Sequence, residues 1–199
     1  MAARKANQEL AAQRRSEILR AATPIFAKNG FSRTDVQEIA DEMGVGKGTI
    51  YRYFPSKKKL FLAVADQGLA DMVQAATAQA MTASDPIERI RLGVREYFKY
   101  FDENRDMIDI FAHERSEFRD RIEPTFLAIR DQQMVLLEMQ LEELKVQGIV
   151  RDDVDTKLAA SLFGDMLSGA VYTHYRIGTG KLADETDKVI DFFLHGIVK

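Results

Sequence analysis

The stretch GVGKGTIYRYFPSKKKL, Gly44 to Leu60, decides the fold. It packs three glycines, two tyrosines, an arginine, a proline and three consecutive lysines into one short span. Pro55 forbids continuation of any helix through it. The helix before that proline is therefore short, about two turns from Lys47 to Phe54, with Ile50 and Phe54 four apart on one face. Ahead of it, Thr34-Asp35-Val36-Gln37 reads as a capping box in which Thr34 accepts from the Gln37 amide, opening a short helix with Val36, Ile39, Ala40 and Met43 facing inward. Gly44 suits the positive φ of a tight turn between the two, and Val45 is an apolar plug. A longer first helix, about Leu10 to Lys28 with Ile18, Ala22, Ile25 and Phe26 on one face, ends at Asn29-Gly30.

Short helix, glycine turn, short helix, packed on a longer helix, is the arrangement that inserts one helix into the major groove of DNA. Gly46 and Gly48 carry no side chain to hold the backbone away from a duplex. Lys47 and Thr49 stand where side chains reach base edges or phosphates, and Tyr51, Arg52 and Tyr53 point away from the Ile50–Phe54 face. Spacing alone leaves open an ordinary all-helical core. The charge is uneven in the same sense, however. Residues 1–60 hold 12 Lys and Arg against 6 Asp and Glu, while the remainder holds 16 against 25. That is a polyanion-facing segment on a body that repels polyanions.

The pattern Phe26-x-x-x-Gly30-Phe31-x-x-Thr34, followed by Ile39-Ala40-x-x-x-Gly44-Val45-x-x-Gly48-Thr49-Ile50-Tyr51-x-Tyr53-Phe54-x-x-Lys57-x-x-Leu60, closely resembles the N-terminal signature of the TetR family of bacterial transcriptional regulators. The resemblance implies DNA contact at Lys47, Gly48, Thr49, Tyr51 and Tyr53, a phosphate contact at Lys57, and a helix N-terminus against the DNA backbone at Thr34. Arg33 and Arg52 join these by charge and placement. Tyr53 stands where many members have histidine, and Gly48 where others carry a side chain.

Elsewhere apolar residues recur at three-to-four spacing, so the fold class is all-α with about nine helices. Ser56 caps a fourth helix. Asp85-Pro86-Ile87-Glu88 starts a fifth, with Ile87, Ile90, Val94, Phe98 and Phe101 inside. Two helices fill 104–147, and the last two span about Asp153–Arg176 and Asp184–Val198. The domain reading is a flexible basic arm over 1–9, a helix-turn-helix domain over 10–56, and a ligand-binding and dimerisation domain over 57–199.

The family resemblance implies a body that dimerises through its last two helices and encloses an effector pocket. For the dimer interface the apolar stripes offer Leu158, Leu162, Phe163, Met166 and Ala170 on the eighth helix, and Val189, Phe193 and Ile197 on the ninth. For the pocket, the aromatic and soft residues are Phe98, Phe101, Phe111, Phe126, Met134, Met166 and Tyr172. Polar groups that could orient a ligand are His113, Asp165, Thr173 and His174. The mix favours a fairly apolar effector, aromatic or acyl.

The expected function is a ligand-responsive repressor that binds a palindromic operator on double-stranded DNA as a homodimer. A constitutive or architectural DNA binder is the alternative. No nucleophile with a base, no phosphate-cradling loop and no metal-ligand spacing occurs, so no catalytic residue, metal or cofactor is assigned. The absence of cysteine fits a reducing cytoplasm, and no stretch reads as a signal peptide or membrane span.

Overall fold

A computed structural model describes residues 2–118 and 125–198, with the backbone alone for 2–5 and 125–131. Among the described residues there are nine α-helices: α1 (Ala2–Arg33), α2 (Val36–Glu42), α3 (Lys47–Tyr53), α4 (Lys57–Ala80), α5 (Pro86–Glu103), α6 (Asp106–Glu117), α7 (Thr125–Val146), α8 (Thr156–Ile177) and α9 (Thr186–Ile197), the last preceded by a 3₁₀ turn, Leu182–Glu185. None is long and apolar enough to cross a membrane. Helix α1 starts at Ala2, well ahead of the expected Leu10, so residues 2–9 are part of the helix. Asp155 caps α8, accepting from the Leu158 amide at 2.9 Å, and so moves the start from Asp153 to Thr156.

The chain divides into two compact units, Met1–Gly68 with Asp106–Pro124, and Leu69–Arg105 with Thr125–Lys199. Neither boundary falls at Ser56. The first turns of α4 supply Leu60, Phe61, Val64 and Ala65 to the core of the first unit, which also buries Ile18, Ala22 and Phe26 of α1, Val36, Ile39 and Ala40 of α2, and Ile50 and Phe54. Each large apolar side chain so buried contributes about 1.5–3 kcal/mol. Phe61 also meets Phe26, Phe31 and Phe118 at ring-centroid distances of 5.1, 5.6 and 5.5 Å. Phe118 follows α6, which joins this unit despite lying far along the chain.

The second unit buries one face of α5 (Ile90, Val94, Phe98, Phe101), Leu137, Leu141 and Leu144 of α7, and Ala159, Phe163, Leu167 and Val171 of α8. Helix α7 ends in a Schellman motif at Gly148, whose φ is +73°, with Ile149 N–H on Leu144 O at 2.9 Å. Arg91 joins α5 to α9 through Asp187 and Asp191 at 2.5 and 3.5 Å. The Asp102 carboxylate accepts from the Leu182 and Ala183 amides at 2.8 and 2.9 Å, closing the 3₁₀ turn on α5.

Candidate functional site

The α2–α3 turn follows from its sequence. Gly44 takes φ +64°, the Gly44 amide donates to Asp41 O at 3.0 Å and the Val45 amide to Ala40 O at 2.9 Å. This is the Schellman closure, which needs a left-handed residue where glycine stands. Helix α3 then presents Tyr51 and Arg52 to solvent while Ile50 is fully buried. A Cβ at Gly48 would meet nothing within 4 Å, so that face is open. Arg15 closes the far end of α3: its Nη1 donates to Tyr53 O at 3.3 Å and its guanidinium lies 4.2 Å over the Phe54 ring.

The capping arrangement differs from the expected box. Asp35, not Thr34, is the N-cap of α2, accepting from the Gln37 amide at 2.9 Å. Gly30 bends α1 with φ +73° and ψ 170°, which leaves its carbonyl within reach of the Thr34 hydroxyl; that hydroxyl donates to Gly30 O at 2.7 Å and Thr34 is buried. Asp35 also binds the Lys47 ammonium at 2.6 Å. The Gln37 amide and this ammonium hold the Asp35 carboxyl below its ordinary value, and the same hydrogen bond raises Lys47. Because the folded carboxyl titrates below the unfolded one, its capping contribution is complete at neutral pH. It is lost as pH falls below the carboxylate range of about 3.9.

Segment 31–34, which leads into α2, is held from two further sides. Lys57 is half-buried, its ammonium donating to Ser32 O at 3.1 Å and Thr34 O at 2.9 Å and lying 4.8 Å from the Phe31 ring. From α6, the Glu117 carboxylate accepts from the Phe31 amide at 3.1 Å, the Ser32 amide at 2.9 Å and the Ser32 hydroxyl at 2.5 Å. One turn earlier His113 Nε2 lies 3.1 Å from Ala27 O, on the other side of the Gly30 bend. His113 and Glu117 thus straddle the bend. His113 lies in the first unit.

Within the second unit, α4, α5, α7 and α8 line a cavity of about 500 Å³ that opens to solvent. Its wall is mostly apolar, with Leu69, Met72, Val94, Met134, Leu137, Phe163 and Leu167, and carries Arg89, Gln133, Gln140 and Glu143 as polar members. Both volume and character are those of a small-molecule site.

A family model described as bacterial regulatory proteins, tetR family, matches residues 18–64. A second, the tetracyclin repressor-like C-terminal domain, matches residues 83–197, more than half of the chain. The chain belongs to the TetR family. The nucleoid occlusion factor SlmA of Vibrio atlanticus is 31% identical over 165 residues, covering 77% of this chain and 80% of SlmA. The transcriptional activator FasR of Mycolicibacterium smegmatis is 31% identical over 99 residues, half of this chain and 45% of FasR. Among solved structures, FadR of Bacillus subtilis in complex with stearoyl-CoA matches with a TM-score of 0.77 and 20% identity, covering 92% of this chain and 98% of that one. This TetR-family chain is thus a DNA-binding transcriptional regulator and not an enzyme.

Of the pocket residues expected from sequence, Met134 lines the cavity. Phe98, Phe101 and Phe111 are buried, yet none of them lines it. Asp165, Tyr172 and Thr173 are exposed, Met166 is half-buried away from the lining, and His174 Nε2 lies 3.3 Å from Gly180 O at the end of α8. Phe126 lies among the residues whose side chains are not described. Of the dimer residues, Leu158 and Leu162 are exposed, whereas Phe163 and Ile197 are buried within the unit and Phe163 lines the cavity. Met166, Ala170, Val189 and Phe193 are half-buried. Sequence reasoning missed Glu117, Arg89 and the exposed Phe192; only for Phe192 was there a signal, its place beside the apolar stripe of α9.

Proposed function

We propose that this regulator is a repressor that binds a palindromic operator as a homodimer and is released by a small, fairly apolar effector held in the α4–α5–α7–α8 cavity. The observation that carries the reading is that cavity, about 500 Å³ and largely apolar, in a chain that also carries a helix-turn-helix. Occupancy alone does not release DNA; the effector has to bind one arrangement of the protein better than another. An acyl effector fits the soft Met- and Leu-lined wall, and the B. subtilis FadR neighbour was solved with stearoyl-CoA.

At the DNA end, Lys47, Gly48, Thr49, Tyr51, Arg52 and Tyr53 form the reading face, with Arg33 beside it. Thr34 acts by position, since its hydroxyl is spent on Gly30 O. Lys57 has two of its three donors on carbonyls, which leaves one N–H for a phosphate. Two such modules on a two-fold axis read half-sites roughly 34–36 Å apart or a multiple of that.

Footprinting tests the whole: symmetric protection of an operator, lost on addition of an apolar acyl compound, is the expected result. Affinity indifferent to every such compound would leave a constitutive binder. Salt titration tests the DNA face. Asp35→Asn keeps the cap and frees Lys47, so the slope of log affinity against log salt steepens; Lys57→Ala lowers it by about one. Unchanged slopes would take both lysines off the phosphates.

A further inference from the structure

The charges on the cavity wall differ in how well they are compensated. Arg89, in the opening turns of α5, is half-buried, and its Nε donates to Ala83 O at 2.8 Å, which fixes the guanidinium against the α4–α5 connection. Among the described residues no carboxylate pairs with it. Arg91, two residues on, has Glu88, Asp187 and Asp191 at 3.5, 2.5 and 3.5 Å. The acidic wall residue, Glu143, is exposed and accepts from Gln147 Nε2 at 3.3 Å, so water already meets its charge. Among the described residues the cavity wall therefore carries one half-buried cation without a carboxylate beside it, next to an apolar wall that continues outward through Met81, 70% exposed, and Met139, 63% exposed.

A guanidinium partly withdrawn from water without a counter-ion is costly, and an anion presented bidentately, a carboxylate or a phosphate, relieves that cost. We infer that the effector is a single-chain amphiphile whose anionic head, a carboxylate or a phosphate, seats on Arg89 while its chain fills the Met- and Leu-lined cavity. This rests on the reading of the cavity as the effector site and adds to it the sign and place of the head.

Calorimetric titration of the full chain at neutral pH with decanoate, decyl phosphate, decanol and decyltrimethylammonium tests it. Either anion or both are expected to bind at least about tenfold tighter than decanol, with the cation weakest; tenfold corresponds to about 1.4 kcal/mol, the low end for a charge-assisted hydrogen bond. The two anions separate a fatty-acid head from a phosphate head. Arg89→Gln should reduce the anion preference to within about twofold while decanol binding holds, and Arg89→Lys should keep part of it, as a point charge without the fork. Decanol binding the wild type as well as both anions, or a preference that survives Arg89→Gln, would overturn the anchor while the effector site stands. If none of the four compounds binds, the effector reading and the anchor fall together.

Discussion

Replacing Glu117 by alanine is expected to cost the DNA-binding unit about 2–4 kcal/mol, lower Tm by roughly 5–10 °C, and weaken operator binding at least about tenfold. The hydrogen bonds of Glu117 go to the end of α1 and not to the recognition helix. Its carboxylate holds the Phe31 and Ser32 amides and the Ser32 hydroxyl, immediately after the Gly30 bend. The backbone immediately before them leaves helical values, with φ +73° and ψ 170° at Gly30. The segment they belong to runs into the Asp35 cap and so sets where α2, and through the Gly44 turn α3, begins.

Glu117→Gln separates positioning from mere folding, since its amide oxygen can still accept while the charge is gone. It should recover most of the Tm but only part of the DNA affinity. Gly30→Ala attacks the same joint from the other side. An added Cβ would stand 3.0 Å from Glu117 Oε1 and 3.3 Å from His113 Cε1, at φ +73°. If Glu117→Ala leaves both melting and operator affinity unchanged, the clamp is ornamental.

That joint also shows where the sequence stops being legible. The helix-turn-helix is local: Gly44, Ile50, Phe54 and Pro55 lie within a dozen residues, and each has one conformational use. The adhesion of α6 to α1 joins residues about ninety positions apart, and nothing in the spacing of His113 and Glu117 names Ala27 and Phe31 as their partners. Thr34 and Asp35 are adjacent and both cap helices well, so the choice between them depends on which carbonyl the bend exposes. Periodicity places Phe98 and Phe101 inward, and both are buried; Phe111, expected only as a pocket residue, is buried as well. An inward face can meet neighbouring side chains or an empty volume, and only the packing of four helices decides which. Hence the cavity lies against Met72, Met134, Leu137 and Phe163 rather than against Phe98, Phe101 or Phe111.

Phe192→Asp is expected to convert the protein to a monomer and to weaken binding to a palindromic operator by roughly 10²–10⁴-fold, the factor that linking two binding modules supplies. The apolar stripe of α8 has two lines. Ala159, Phe163, Leu167 and Val171 face their own unit, while Leu158 and Leu162 are 55% and 57% exposed, and Phe192 of α9 is 78% exposed. Gly169 and Gly196 would place a Cβ within 4 Å of nothing, so both leave room for close approach of another helix. On the proposed two-fold axis Leu158, Leu162 and Phe192 would each be buried twice, at about 1.5–3 kcal/mol for a large apolar group. An aspartate at 192 removes that gain and buries two like charges instead. Because Phe192 packs against little in its own chain, helical content and Tm of the separated subunit should stay near those of the wild type. Leu162→Glu, on the other helix of the same face, should behave alike. Light scattering after gel filtration gives the mass, and a gel shift on the footprinted operator gives the affinity. A dimer that survives both substitutions would place the two-fold axis on another face, and a monomer that keeps full operator affinity would remove the palindrome.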